Sequence, residues 1–148
     1  MATVIKSMND LTRILESRIQ KALEMTQDEI WKTIQEHIDA YYSEYDPKKY
    51  IRTFKFQTES LIKTKVVRSG SNMYCTVEID PDYLHYTYPG GYVTGLGVAM
   101  GANQHSHGGI YDDDFGCFWD DSMKELGLKP GILYIMKTNL QKCGVPVK

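Results

Sequence analysis

Cysteine is scarce in this chain. Cys75, Cys117 and Cys143 are the only three in 148 residues, an odd number with no CxxC pair. A disulfide framework is therefore not expected, and the pattern suits reduced thiols in a cytosol. A basic excess is missing as well: the formal net charge is −2 and the isoelectric point is near 6.1. This argues against bulk electrostatic binding of nucleic acid, because no basic excess exists to displace counterions. The local group Lys63, Lys65 and Arg68 reads as a solvated face. No apolar run approaches the roughly 18 residues of a bilayer span. The opening MATVIKSMNDLTRILES has no continuous apolar core, so neither a membrane anchor nor a secretory signal is expected. Nucleotide and hydrolase fingerprints are missing too. GLGVAMG at 95–101 approximates GxGxxxG but lacks a strand–turn–helix context, and no P-loop or GxSxG occurs. No internal repeat or low-complexity tract is present.

What the chain does contain is ordinary globular material, 42% hydrophobic and 24% charged. A single domain of this size buries about 70% of its unfolded surface and needs no staple. Residues 10–45 carry a helical pattern: Leu11, Ile14, Leu15, Ile19, Ala22 and Leu23 recur at three- and four-residue spacing. Ile30, Ile34, Ile38, Tyr41, Tyr42 and Tyr45 continue it. Thr26 with Glu29 has the form of a capping box, so two helices breaking near Met25 stand beside one long helix as alternatives. A helix of that length needs partner surface beyond its own domain.

Asp46-Pro47 ends the pattern. The segments 61–67 and 73–79 flank the turn cluster SGSN and predict an antiparallel hairpin. In it Met73, Cys75, Val77 and Ile79 share one face, while Tyr74, Thr76 and Glu78 share the other. A third short strand is expected within 82–88, closing a sheet region of 61–88. Residues 89–114 hold seven of the twelve glycines and read as one extended loop, with a short strand allowed around Gly95–Met100. Residues 115–143 are helical. Asp113 or Asp114 is the expected cap of a first helix whose apolar side is Phe115, Phe118, Trp119, Met123 and Leu126. Pro130 opens a second, with an apolar stripe of Ile132, Leu133, Ile135, Met136 and Leu140, and Gly144 stands at its C′ position. The order predicts one α+β domain over 1–148: a long helix, a small antiparallel sheet, a long glycine-rich loop and two short helices.

Chemistry-bearing residues concentrate in GANQHSHGG at 101–109. His105 and His107 can ligate one ion from a loop, with Asp112, Asp113, Asp114 or Cys117 as third ligand. One pair alone does not make the two-pair pattern of a structural zinc site, and the aspartates also suit a helix cap. Cys75 alternates with apolar residues and reads as a buried small hydrophobe, and Cys117 reads as packing. Tyrosine is the stronger signal: eleven stand against four phenylalanines, grouped at 41–50 and 83–92. A tyrosine ring packs while its hydroxyl stays wet, which suits interfaces. The composition therefore points towards assembly.

Three stretches add a resemblance. YDPKKYIRTFKFQTESL at 45–61 resembles the segment after the N-terminal helix in phage head–tail joining and tail-completion proteins, minor capsid proteins of long-tailed phages. In those proteins an RTG- or DTG-like step precedes a leucine-and-serine segment. Arg52, Thr53 and Phe54 stand at that step here, with Phe54 where the family pattern has glycine, and Ser60-Leu61 follow. FWDDSMKEL resembles their aromatic-started helix, and YIMKTNLQKCGVPVK resembles their closing helix with its Gly-hydrophobic-Pro tail. The resemblance implies a non-enzymatic virion component without cofactor or metal, assembled in the host cytoplasm. It implies a ring of copies of itself that contacts connector or tail-tube proteins, with no membrane and no sequence-specific nucleic acid as partner. Tyr86, Tyr88, Tyr92, His105 and His107 are the interface candidates. Two rival expectations remain: a small metal-dependent hydrolase or nuclease using His105, His107 and a nearby aspartate, and a module that binds a small ligand or a host protein.

Overall fold

The computed structural model describes residues 6–46, 54–80, 85–88, 91–107, 110–128 and 131–148. The first element, α1, is one continuous helix, Met8–Ser43, about 54 Å long at 1.5 Å per residue. Ser7 starts it, its hydroxyl accepting from the Asp10 N–H at 3.1 Å. Of the two alternatives, the unbroken helix forms. Thr26 does not cap a second start; its hydroxyl donates to the Ala22 carbonyl at 2.8 Å, the back-bond of a mid-helix threonine.

The short helix α2, Lys55–Glu59, leads into strands β1 (Leu61–Lys63), β2 (Val67–Ser69), β3 (Asn72–Tyr74) and β4 (Val77–Ile79). These four are the predicted hairpin. Leu61 lies opposite Ile79 and Ser69 opposite Asn72. Residues 64–66 face only 75–76, so the hairpin carries one extra residue on its first arm, a bulge. Gln27 of α1 closes that defect. Its side-chain amide donates to the Thr64 carbonyl at 2.8 Å and to the Thr76 carbonyl at 2.7 Å. Met73, Cys75, Val77 and Ile79 are half-buried, and Tyr74, Thr76 and Glu78 are exposed, in the expected alternation. Lys63 and Arg68, read as a basic face, each meet an acid of α1: Lys63 lies 2.7 Å from Asp28, and Arg68 pairs with Glu16.

The region 82–114 departs from expectation. Strand β5 (His85–Tyr88) does not join the hairpin; it pairs with β6 (Gly91–Thr94), His85 opposite Thr94. The supposed loop 89–114 contains β6, a helix α3 (Gly95–Ala102), and the paired strands β7 (Ser106–His107) and β8 (Ile110–Tyr111). Gly95–Met100, allowed as a strand, is helix. The Thr94 hydroxyl accepts from the Gly97 N–H at 3.1 Å and nucleates the first turn. Ala102 is buried, and Val98 and Ala99 pack against the core. That burial offsets the helix-breaking tendency of three glycines in eight residues, a tertiary effect that periodicity does not register.

Helices α4 (Phe118–Gly127) and α5 (Gly131–Lys142) complete the fold. The cap expected from Asp113 or Asp114 comes from elsewhere. Asn103, just past α3, accepts through Oδ1 from both the Trp119 and Asp120 N–H groups at 3.1 Å. Asp121 accepts from the Cys117 N–H at 3.0 Å. Of the predicted apolar side, Phe118 and Leu126 are buried while Met123 is exposed. On α5 the predicted stripe is partly reversed. Leu133 is 86% exposed and Ile132 is 40% exposed, whereas Asn139 is fully buried. Asn139 donates to Thr26 Oγ1 at 3.2 Å and Glu29 Oε1 at 3.0 Å, so the pair read as a capping box is an anchor for α5. Gly144 ends α5 at φ 74, with its N–H on the Gln141 carbonyl and the Val145 N–H on the Leu140 carbonyl. This is the predicted C′ glycine, in a full Schellman arrangement. Pro47, Tyr50, Arg52, Thr53, Pro81, Tyr83 and Pro130 lie outside the described residues.

The core gathers on the C-terminal half of α1: Ile34, Ile38 and Tyr41 meet Phe56, Leu61, Phe118 and Leu126. Among the described residues no helix is long and apolar enough to cross a membrane. Phe54, where the family pattern has glycine, has φ 55 and ψ 10. The backbone is left-handed there on a residue other than glycine, with the ring set 5.9 Å from that of Tyr42. Left-handed backbone costs an L-residue about 1 kcal/mol. Both Phe54→Gly and Phe54→Ala lose the ring, so urea denaturation should find the glycine variant the more stable by about 1 kcal/mol. Equal stabilities would show that the left-handed turn carries no strain.

Candidate interaction surface

The last turn of α1 is aromatic, and it holds the histidine segment in place. The Tyr41 hydroxyl donates to the Ser106 carbonyl at 2.7 Å. The His107 ring stacks on Tyr41 with centroids 3.8 Å apart and planes 11° from parallel. Phe115 meets the same imidazole edge-on at 4.5 Å, and Tyr45 lies 5.4 Å away. Glu44 accepts from the Gly116 N–H at 2.9 Å, and its carboxylate lies 3.7 Å from His107 Nε2. A Cβ on Gly116 would stand 3.0 Å from Glu44 Oε1, so a larger residue there would push the carboxylate back by a few tenths of an ångström. Strand β7 is thus clamped between aromatic rings.

The predicted site residues separate under this geometry. His107 is 3% exposed, with its ring inside the chain's own aromatic cluster. His105 is exposed and left-handed at φ 52, with Nδ1 directed at the Phe115 carbonyl. The two histidines would share a face if the segment were extended throughout; the left-handed backbone at His105, in the turn before β7, sends the two rings into different surroundings. Among the described residues no group of three or more His, Cys, Asp or Glu is placed to hold a metal ion. Asp112 accepts instead from the Asp114 N–H at 3.1 Å, shaping the turn. Cys75 is half-buried with its thiol pKa raised, first by desolvation and then by the Glu24 carboxylate, which suppresses the thiolate that nucleophilic chemistry requires. Tyr92 is exposed on β6. Tyr86 lies opposite Val93, and Tyr88 opposite Gly91, while their side chains fall outside the described residues.

Sequence reading missed two apolar faces. The first is carried by β6, α3 and β8: Tyr92 is 56% exposed, Leu96 56% and Met100 54%, with Ile110 and Tyr111 also exposed. Leu96 and Met100 are one helical turn apart and share a face. The second lies at the α4–α5 corner, where Leu128, Ile132, Leu133 and Tyr134 are exposed. Burying what remains open of each such side chain is worth roughly 1 kcal/mol, so each face offers about 4–5 kcal/mol to whatever covers it. One signal could have found the first face. Residues 83–111 contain no Asp, Glu, Lys or Arg in a chain that is 24% charged. Interface cores are depleted of charge in this way. The second face has no comparable marker, because Lys129 falls within its sequence and Lys124 and Lys137 flank it.

In comparisons with known proteins, a family model described as YomN matches residues 7–142, from the start of α1 to the end of α5. No curated protein and no solved structure matches the chain.

The burial of His107 predicts a loss that does not depend on any partner. His107→Ala should lower the unfolding free energy by about 2–3 kcal/mol, as truncation of a buried ring does, measured by urea denaturation at dilute protein. Unchanged stability would mean that the imidazole is not part of the chain's own packing.

Proposed function

The chain belongs to the YomN family, a phage-derived family, and from that premise we propose that it is a structural virion protein. It acts in head–tail joining or tail completion by assembling into a ring. The observation that carries this reading is the pair of separate apolar faces, one on β6, α3 and β8 and one at the α4–α5 corner. Monomeric proteins rarely leave contiguous apolar patches open without a binding role. A ring requires two different faces on each subunit, since a rotation that closes on itself sets one patch against another.

The resemblance of the segments around Phe54, Phe118 and Tyr134 to head–tail joining and tail-completion proteins supports the same reading. In it the protein acts by shape and contact, assembled in the host cytoplasm and then carried in the virion. Its partners are further copies of itself and the connector or tail-tube proteins on either side, and no residue is assigned a catalytic role. Tyr92 keeps its place among the interface candidates. His105 sits at the exposed edge of β7, whereas His107 serves by holding β7 on α1.

Light scattering on the purified protein tests this directly. The expected outcome is a closed oligomer whose mass is a multiple of 17.0 kDa, visible as rings by electron microscopy. A strict monomer at high concentration that also fails to bind the phage's connector and tail-tube proteins would overturn the proposal.

A further inference from the structure

Resting on the ring reading, we infer that the two apolar faces are each other's partners. The β6–α3–β8 face of one copy seats on the α4–α5 corner of the next copy. Three observations carry the assignment. The first face lacks charge of its own across residues 83–111, so an apolar surface is the occupant it can take without stranding a buried charge. The chain itself offers such a surface in Leu128, Ile132, Leu133 and Tyr134, with Leu133 at 86% exposure.

The rims of the two faces also carry opposite charge. Tyr111 is followed at once by Asp112, Asp113 and Asp114, all exposed. Beside the second face stand Lys124, four residues before Leu128, and Lys137, four residues after Leu133, both exposed. Positions four apart on a helix share a face, so Lys137 borders Leu133 directly. Glu125, the acid nearest this corner in sequence, is engaged 2.8 Å from His37 of α1. An apolar centre with an acidic rim thus meets an apolar centre with a basic rim, the arrangement that fixes orientation between partners.

Head-to-tail pairing also covers both faces at every junction. Face-to-face pairing of two α3 surfaces would cover one face, bring two acidic rims together and leave the α4–α5 corner open. Such an isologous contact closes as a dimer and stops.

Charge exchange across the junction tests the pairing. Met100→Lys and Leu133→Glu each place an unpaired charge in the apolar centre, and each should weaken self-association at least roughly tenfold by sedimentation velocity. The double variant Met100→Lys/Leu133→Glu sets Lys against Glu at every junction and should recover assembly. An equimolar mixture of the two single variants should also recover assembly, because alternating copies set Lys against Glu at one junction and Met100 against Leu133 at the next, with a mismatch left only in a ring of odd number. Circular dichroism should be unchanged in all three, and the reversed pair Met100→Glu/Leu133→Lys provides a second double variant if one single variant fails to fold. If either single variant leaves assembly intact, or if neither double variant recovers it, the head-to-tail pairing is wrong even where rings still form. If the unaltered chain never associates, the ring reading itself fails.

Discussion

Trp31, Gln27 and Gln35 of α1 each donate a side-chain N–H to a main-chain carbonyl of the segment beside the helix. Trp31 reaches Leu61 at 3.0 Å, Gln35 reaches Gln57 at 2.8 Å, and Gln27 reaches Thr64 and Thr76. Strands of two to four residues cannot hold a ladder in water by themselves. Here they are stabilised because one long helix supplies both the apolar floor and side-chain donors to carbonyls along the segment, those of Leu61 and Thr64 among them. An unpaired buried carbonyl costs about 1–3 kcal/mol, so these polar side chains weigh as much as the apolar ones around them. The spine therefore decides the order of everything else. The hairpin lies along its middle and N-terminal half, α5 along the face marked by Thr26 and Glu29, and the aromatic clamp at its C-terminal end.

The clamp explains how a glycine-rich segment becomes a surface. With β7 fixed by Tyr41, His107 and Phe115, the preceding helix α3 is pinned at its end, and Asn103 then caps α4 from the same corner. One short stretch thus connects the end of α1 to the start of α4. Its inner side is buried, and its outer side presents Leu96 and Met100 to solvent. A helix apolar all round, left half open, has a vacant side for a partner. Rigidity matters as much as hydrophobicity here, because a face held by packing loses little conformational entropy when it is covered.

The long helix, the hairpin with its inward and outward alternation, the helical C-terminal third and the closing glycine at 144 were legible in the sequence. Each rests on local physics: a 3.6- or 2-residue period, a turn cluster, or a backbone conformation that one residue type supplies. The left-handed position at Phe54 was flagged only as a departure from the pattern of the proteins the segment resembles, and its backbone conformation came from the structure. The metal reading of His105 and His107 failed to find its cluster among the described residues, because a left-handed turn at His105 leaves that ring outside while β7 carries His107 inward. The helix within 95–102 was missed because its stability comes from Ala102, Val98 and Ala99 packing on distant residues rather than from its own composition. The cap of α4 was misplaced for the same reason, since Asn103 stands sixteen residues away.

The sequence by itself determined the α+β class, the helical character of residues 10–45, the alternation along 73–79 and the absence of charge from residues 83–111. All of these are properties of neighbours along the chain. Only the tertiary structure decided that His107 is interior and His105 exterior, that Asn139 rather than Leu133 faces α1, and that two apolar faces remain open. Those outcomes depend on which surfaces meet across the fold. A side chain's burial is set by the element opposite it, and no local period encodes which element that is.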